Sequence, residues 1–133
     1  RGINKDLIEV LVSDHKPEDE ESKRLTFSQA ATGASGIETL LPLSLELFHN
    51  NSIKLPKIIK LLTSNPARVL RIDKGNLSIG NDADFCIVDI NKPWIVKQEN
   101  LISKSKNTSI ENKKLQGKVT NTFVKGEELF KLN

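Results

Sequence analysis

The sequence predicts an α/β fold in which one buried strand precedes a group of helices and a β-rich segment follows them. Three patterns support this prediction. Residues 8–12 form an almost continuous apolar run, and residues 37–72 repeat apolar side chains at helical spacing. Residues 76–133 alternate short apolar runs with Gly, Asn and Asp turns. An apolar run without alternation is typical of a parallel strand covered on both faces.

A polar loop over residues 15–35 follows the predicted strand. It contains an acidic block at residues 18–21 and a stretch of small residues at 30–36. A loop of about twenty residues is longer than a plain connector and is more often functional or disordered.

The helical part contains three predicted helices. Pro42 indicates that the regular part of the first helix begins near it, because proline is tolerated in a first turn and not in a helix interior. Pro56 has the same place in the second helix. Asn65 followed by Pro66 predicts the N-cap and first turn of the third.

The β-rich part contains predicted strands at residues 85–88, 94–96, 118–124 and 128–132, with a polar loop over 101–116. Lys125-Gly126-Glu127 between the last two strands is a hairpin signal.

Composition excludes several classes of function. The chain has 133 residues, about the size of one domain, and 20 Lys and Arg against 17 Asp and Glu, a net charge of +3. The lysines are dispersed and do not interleave with aromatic residues, so no nucleic-acid partner is indicated. No apolar stretch approaches the ~20 residues of a membrane span, so no membrane partner is indicated either.

Two further features of the composition concern the compartment and the extent of the chain. Cys86 is the single cysteine, which rules out an internal disulfide and fits a cytoplasmic protein. The sequence contains no methionine and begins Arg-Gly, so we expect it to be a segment of a longer protein.

Asp14 is the first candidate for chemistry, because it stands where the predicted strand ends. In a (β/α)8 barrel, side chains at the carboxyl ends of the strands project into the active site. A carboxylate there can bind a metal ion or take a proton from water. The alternative is a turn-forming aspartate that hydrogen-bonds its own backbone.

A series of motifs in unbroken order resembles the dihydroorotases, a family of cyclic amidohydrolases. Asp14-His15-Lys16-Pro17-Glu18 resembles the family's Asp-His-Ala-Pro-His after the last barrel strand. The other matching stretches are GIETLLPL (36–43), LLTSNPARVL (61–70), GNLSIGNDADFCIVD (75–89), KPW (92–94), SKSKNT (103–108), LQGKV (115–119) and VKGEELF (124–130). The resemblance covers essentially the whole sequence.

The resemblance implies the C-terminal part of a (β/α)8 barrel at residues 1–75, with the last strand, the catalytic loop and outer helices. Residues 76–133 would then supply strands of a small β-domain. Family members hold one or two zinc ions near the barrel mouth and interconvert N-carbamoyl-aspartate and dihydroorotate in pyrimidine synthesis. Asp14 matches the family's aspartate that binds the metal and shuttles the proton.

The resemblance also implies substrate-binding positions, and two of them have changed. Glu18 stands where the family has a histidine that contacts the substrate carboxylate, and Ala31-Thr32 replace the family's Pro-Phe before Gly33. We expect Glu18, Thr32 and Gly33 to face the substrate, the glycine through its backbone N–H. His15 is a possible supporting residue, which we expect to pack or hydrogen-bond locally rather than to bind zinc.

The family's other metal ligands precede the matched segment, so we expect residues 1–133 alone to be inactive. The exposed faces of such a segment should be covered by the missing N-terminal portion or by a self-associating copy. The alternative to an enzyme is a non-catalytic remnant or subunit that acts as a structural partner of another chain.

Overall fold

The computed structural model describes residues 2–132, and from residue 40 onward its elements follow the predicted order of helices and then strands. Before residue 40 it has one short helix, Glu20–Lys23, inside the predicted polar loop. Residues 2–132 contain helices α1 (Glu20–Lys23), α2 (Leu40–His49), α3 (Leu55–Leu62) and α4 (Ser64–Leu70), and then strands β1 (Phe85–Ile95), β2 (Lys114–Val124) and β3 (Glu127–Lys131). The predicted α/β class is confirmed.

The three long helices begin close to where the prolines predict. Pro42 lies in the first turn of α2 and Pro56 in the first turn of α3. Helix α4 begins at Ser64, one position before the predicted cap, so Asn65 lies inside the helix. The Asn65 side-chain amide instead donates to the backbone oxygen of Glu9, at 2.8 Å. It thereby ties α4 to the N-terminal segment.

The apolar run at residues 8–12 differs from the prediction in having no strand partner within residues 2–132. Its backbone contact is with a helix, because the Leu11 N–H donates to the carbonyl of Leu61 at 3.0 Å. A parallel strand needs neighbouring strands to form its ladder. The described part of the chain offers one such contact, the isolated parallel bridge between His15 and Ala34.

The sheet has the order β1-β2-β3, with both pairs antiparallel. One strand, β1, covers the two runs that were predicted as separate strands, and its register is irregular between Asp89 and Pro93, where the sequence predicted the break. The hairpin between β2 and β3 turns at Lys125 and Gly126, whose φ angles of 51° and 83° suit a two-residue turn with both residues left-handed.

Helix α2 packs on strand β2 and so joins the helical part to the sheet. Leu45 is fully buried at this contact. Gly117 has φ 105°, and a Cβ built on it would lie 2.4 Å from Leu45 Cδ1. At the end of α2, His49 Nε2 lies 3.0 Å from the carbonyl oxygen of Ile90. The helix therefore fixes the sheet by close packing and by a polar contact.

A second centre of packing lies where the loop before β2 folds back on the sheet. Val96, Leu101 and Leu115 form a buried cluster, against which Leu43 and Trp94 pack. The cluster packs Leu101, at the start of the loop, against Leu115 in β2.

Large apolar side chains remain exposed on the N-terminal segment, on α4 and on the loop before β1. Val12 is 72% exposed, Val69 60%, and Ile79 fully so. What covers these side chains stays a prediction. No helix among residues 2–132 is both long enough and apolar enough to cross a bilayer.

The contact between Gly117 and Leu45 predicts a specific cost for a methyl group. Gly117→Ala should lower the free energy of unfolding by about 1–3 kcal/mol through overpacking against Leu45. Gly80→Ala is the matched control, because Gly80 also has a positive φ of 96° but a Cβ there meets nothing within 4 Å. Urea unfolding of the full-length protein measures the free energy of unfolding of both variants. Equal losses in the two variants would contradict the packing account.

The Lys74 cluster predicts a dependence of stability on acid. Lys74 Nζ lies 2.6 Å from Asp84 and 2.8 Å from Asp82. The pKa of Asp84 lies below its ordinary value because Lys74, and then the Lys125 N–H, donate to its carboxylate. A lowered folded-state pKa adds stability above the unfolded pKa of about 3.9, and that stability is lost as the pH falls through the folded pKa.

Asp84→Asn should therefore flatten the loss of stability as the pH falls below about 5 and through the lowered folded-state pKa. Urea midpoints at a series of pH values measure this slope. Asp73→Asn is the control, since Asp73 is an exposed carboxylate outside the Lys74 pair. An unchanged slope in Asp84→Asn would show that the ion pair adds nothing to folding.

Candidate functional site

Asp14 lies immediately after the apolar N-terminal segment. Its φ of 46° is left-handed, a conformation that aspartate and asparagine tolerate better than most residues. The residue is exposed.

The residues on both sides of Asp14 dock on the turn at residues 33–37. A Cβ at Gly36 would lie 2.8 Å from the carbonyl oxygen of Ser13, so a side chain has no room there. The Lys16 N–H donates to the carbonyl of Ala34 at 3.1 Å. The backbone is thus held before and after Asp14, which fixes where its side chain can reach.

His15 adds a side-chain anchor at the same place. Its Nδ1 accepts from the N–H of Gly36 at 3.1 Å and lies 3.3 Å from the N of Ile37, which also donates to it. The ring is half-buried. His15 thus hydrogen-bonds to the backbone at residues 36 and 37, and its role beside Asp14 stays a prediction.

Gly33 is held as tightly as Gly36. Gly33 has φ 128°, and a Cβ on it would lie 2.5 Å from the carbonyl oxygen of Lys16. The Asn107 side-chain amide donates to the carbonyl oxygen of Gly33 at 3.2 Å. Asn107 comes from the β-rich part of the chain. Thr32, just before the glycine, is exposed.

Asp14 and Gly33 line one groove, which we call the Asp14 groove. It encloses about 550 Å³, and its walls are residues 11–14, residues 33–36, one face of α2 and residues 108–110. Structure therefore brings together two of the predicted site residues from positions far apart in the sequence. Small residues and apolar side chains make up most of the remaining wall.

Glu18 lies on a neighbouring concave surface, with His15, Ile37 and residues 102–105. Its carboxylate is half-buried and lies 3.4 Å from Lys16 Nζ. An anion that stands beside a lysine repels a nearby anionic group less than an isolated carboxylate would. Glu18 and Asp14 thus face different surfaces within the described residues.

A loop from the β-rich part, residues 101–108, closes over the turn at 33–38. Ser35 Oγ donates to the carbonyl of Ser105 at 2.8 Å, and the Ser35 N–H donates to the carbonyl of Asn107 at 2.7 Å. Ser105 Oγ in turn donates to the carbonyl of Glu18 at 2.6 Å. This network holds the wall of the groove in place.

Glu38 contributes the most charged part of that network. Its carboxylate accepts from the N–H of Ile102 at 2.9 Å and from the N–H of Ser103 at 3.0 Å. Sequence reasoning placed Glu38 within a family motif but did not assign it a contact. The same holds for Ser35 and Asn107, because no local pattern indicates a bond between residues more than sixty positions apart.

The described residues offer little to a metal ion on their own. Within residues 2–132 no group of three His, Cys, Asp or Glu side chains is arranged to bind one. Asp14 can supply a carboxylate oxygen, whereas zinc sites in proteins use three or four protein ligands. The donor set therefore fits one part of a metal site.

The architecture matches solved amidohydrolases over nearly its whole length. The L-hydantoinase (dihydropyrimidinase) of Arthrobacter aurescens superimposes with a TM-score of 0.91 at 27% identity, over 98% of this chain and 30% of that one. A dihydropyrimidinase of Brevibacillus agri NCHU1002 has the same TM-score at 19% identity, over the same shares, and shows the fold alone. The class is thus a partial amidohydrolase fold.

Sequence comparison leads from the class to the family. The pattern of the amidohydrolase family matches residues 2–129. The dihydroorotase of Wolbachia sp. subsp. Drosophila simulans (strain wRi) is 38% identical over 129 residues, 97% of this chain and 29% of that protein. That of Aquifex aeolicus (strain VF5) is 39% identical over 130 residues, 98% of this chain and 31% of that protein. The chain belongs to the amidohydrolase family.

The Glu38 contacts predict that this side chain holds the 101–108 loop. Glu38→Ala should speed amide hydrogen exchange at Ile102 and Ser103 by about tenfold or more, because hydrogen bonds to a charged group contribute about 1.5–3 kcal/mol. Exchange followed by mass spectrometry or NMR measures it. Glu99→Ala is the control, since Glu99 is exposed in the turn just before the loop. Exchange that rises equally in both variants would mean that lost charge, not the lost contact, is responsible.

Proposed function

We propose that this chain forms part of a dihydroorotase-type amidohydrolase that interconverts N-carbamoyl-aspartate and dihydroorotate. The observation that carries the proposal is the placement of Asp14 in a groove with the Gly33 backbone. Support for the substrate comes from the relatives named dihydroorotase, which are identical to this chain at 38% and 39% of the aligned positions. The chain spans about 30% of the length of those relatives, so the activity is proposed for a longer or assembled protein.

Asp14 is proposed as the group that moves the proton. In the hydrolytic direction the oxygen of water forms a bond to the ring amide carbon, and the proton of that water passes to an Asp14 carboxylate oxygen. The carbon–nitrogen bond then breaks, and Asp14 returns the proton to the leaving nitrogen. No net proton stays on the enzyme. An exposed carboxylate in a groove can reach both atoms with small side-chain rotations.

A zinc ion, where present, would supply Lewis-acid activation of the water and of the amide carbonyl. Asp14 is proposed as one of its ligands through a carboxylate oxygen. The remaining ligands must come from outside the described residues, since these offer no complete group. On this proposal residues 1–133 alone are inactive.

Gly33 and Thr32 are proposed to bind substrate. Gly33 lines the groove with Asp14, and its backbone N–H can donate to a substrate oxygen there. Thr32 is exposed next to it and can add a hydroxyl. For Glu18 a substrate contact stays a prediction. Because Glu18 is paired with Lys16, substrate would meet the ion pair and not an isolated carboxylate.

Glu18 also supports a second candidate, a non-catalytic subunit that serves as a structural partner. The resembling family has a histidine at this position, and an acid there does not favour an anionic substrate. Turnover by the protein as its gene encodes it separates the two candidates. Absence of turnover of both dihydroorotate and N-carbamoyl-aspartate would favour the structural role.

The proposed role of Asp14 predicts the behaviour of a conservative variant. Asp14→Asn should lower kcat by about 10²–10⁴-fold, because the amide cannot accept the proton, while metal content stays near that of the unchanged protein. Steady-state kinetics with metal analysis measures both. Asp73→Asn, an exposed aspartate outside the groove, is the control. An unchanged kcat in Asp14→Asn would end the assignment.

A further inference from the structure

The imidazole ring of His15, the residue after Asp14, is fixed by hydrogen bonds to the backbone. Its Nδ1 faces two backbone donors, the N–H groups of Gly36 and Ile37, at 3.1 Å and 3.3 Å. A ring nitrogen that accepts hydrogen bonds is unprotonated, so in the neutral ring the proton is on Nε2. This arrangement occupies the Nδ1 lone pair and makes Nε2 a donor. Neither nitrogen is then free to bind a metal ion.

The two amides that His15 holds belong to the turn that leads into α2. Thr39 and Leu40 follow that turn and donate their N–H groups to the Gly36 carbonyl, so the amide side and the carbonyl side of Gly36 are both engaged. His15 therefore connects the segment after Asp14 to the start of the helix that forms one wall of the groove.

The connection matters for Asp14 because of the shape of the backbone between them. Asp14 has the left-handed φ of 46°. This conformation costs an L-residue free energy, and it persists only where contacts of the neighbouring residues offset that cost. The Ser13 carbonyl lies close against Gly36, and the Lys16 N–H donates to the carbonyl of Ala34. The side chain of His15 is the third anchor, and it is the one placed directly after the strained residue.

We propose that His15 is a positioning residue, whose Nδ1 holds the turn at residues 36–37 and thereby aims the Asp14 carboxylate into the groove. The inference rests on the proposed function of Asp14, and it assigns His15 a role through its neighbour and not a place among the metal ligands. In this role Nδ1 acts as a hydrogen-bond acceptor.

The chain offers a matched pair of variants that separates the two ring nitrogens. In His15→Asn, the amide oxygen is bonded to Cγ as Nδ1 is, so an acceptor can face Gly36 and Ile37 at nearly the same place. In His15→Gln, the amide group lies one bond further out and matches Nε2 instead. His15→Ala removes both. The three substitutions are made in the protein as its gene encodes it.

The first measurement needs no activity. NMR of the imidazole nitrogens should show an unprotonated Nδ1 in the unchanged protein, and amide exchange at Gly36 and Ile37 should be slow. That protection should persist in His15→Asn and be lost in His15→Gln and His15→Ala. A protonated Nδ1, or equal protection in all three variants, would overturn the anchor.

The second measurement is kinetic. We expect kcat to fall about 10–100-fold in His15→Gln and His15→Ala, the range found when partners that orient an active-site ligand are removed. His15→Asn should stay within a few-fold of the unchanged protein, and KM should change little in all three. If His15→Asn loses as much kcat as His15→Ala, or if His15→Gln loses none, the positioning role is overturned.

The two proposals fail in different ways. Normal turnover by Asp14→Asn would remove the role of Asp14 and, with it, the catalytic meaning of His15, even where the exchange data show the anchor. Loss of turnover in Asp14→Asn together with full activity in His15→Ala would leave the proposed function standing and overturn the positioning role alone.

Discussion

The close approach of two backbone segments is the constraint on which the site depends. At Gly33 a Cβ would meet the Lys16 carbonyl oxygen at 2.5 Å, and at Gly36 it would meet that of Ser13 at 2.8 Å. A carbonyl oxygen in a held backbone cannot rotate away as a side-chain tip can. The segment around Asp14 therefore reaches its position only because both opposing residues lack side chains. The position of Asp14 in the wall of the groove follows from that contact.

Polar contacts, and not apolar burial, carry this arrangement from the helical part to the β-rich part. The Asn107 amide reaches the Gly33 carbonyl, and Glu38 caps two backbone amides at the start of the same loop. Hydrogen bonds are directional, so they fix the loop within a few tenths of an ångström more readily than apolar contacts do. Away from the site, packing takes over where Leu45 fills the space above Gly117. Directional hydrogen bonds thus position the wall of the groove, and close side-chain packing stabilises the rest of the fold.

Sequence reasoning succeeded where structure is local. The prolines located helices α2 and α3, and the Lys125-Gly126 pair located the hairpin, because each signal lies within the element it defines. Sequence reasoning was less accurate where the structure of a segment depends on a second, distant segment. The sequence predicts a strand at residues 8–12, but a ladder needs two segments. Within the described chain this run bonds to helices, through Leu11 to Leu61 and through Glu9 to Asn65. The bond from Glu38 to Ile102 spans 64 positions, and no periodicity in either segment indicates it.

The exposure of Asp14 has a consequence for whatever covers the groove. Val12, beside it, is 72% exposed, and burying such a side chain is favourable by about 25 cal/mol per Å². The same cover would remove water from the Asp14 carboxylate, and an unpaired buried charge costs several kcal/mol. Burial of Val12 and ionisation of Asp14 are compatible only if the cover brings a cation or hydrogen-bond donors to that carboxylate. A surface that covers both Val12 and Asp14 would therefore have to be apolar against the wall and positively charged or donor-rich at the carboxylate.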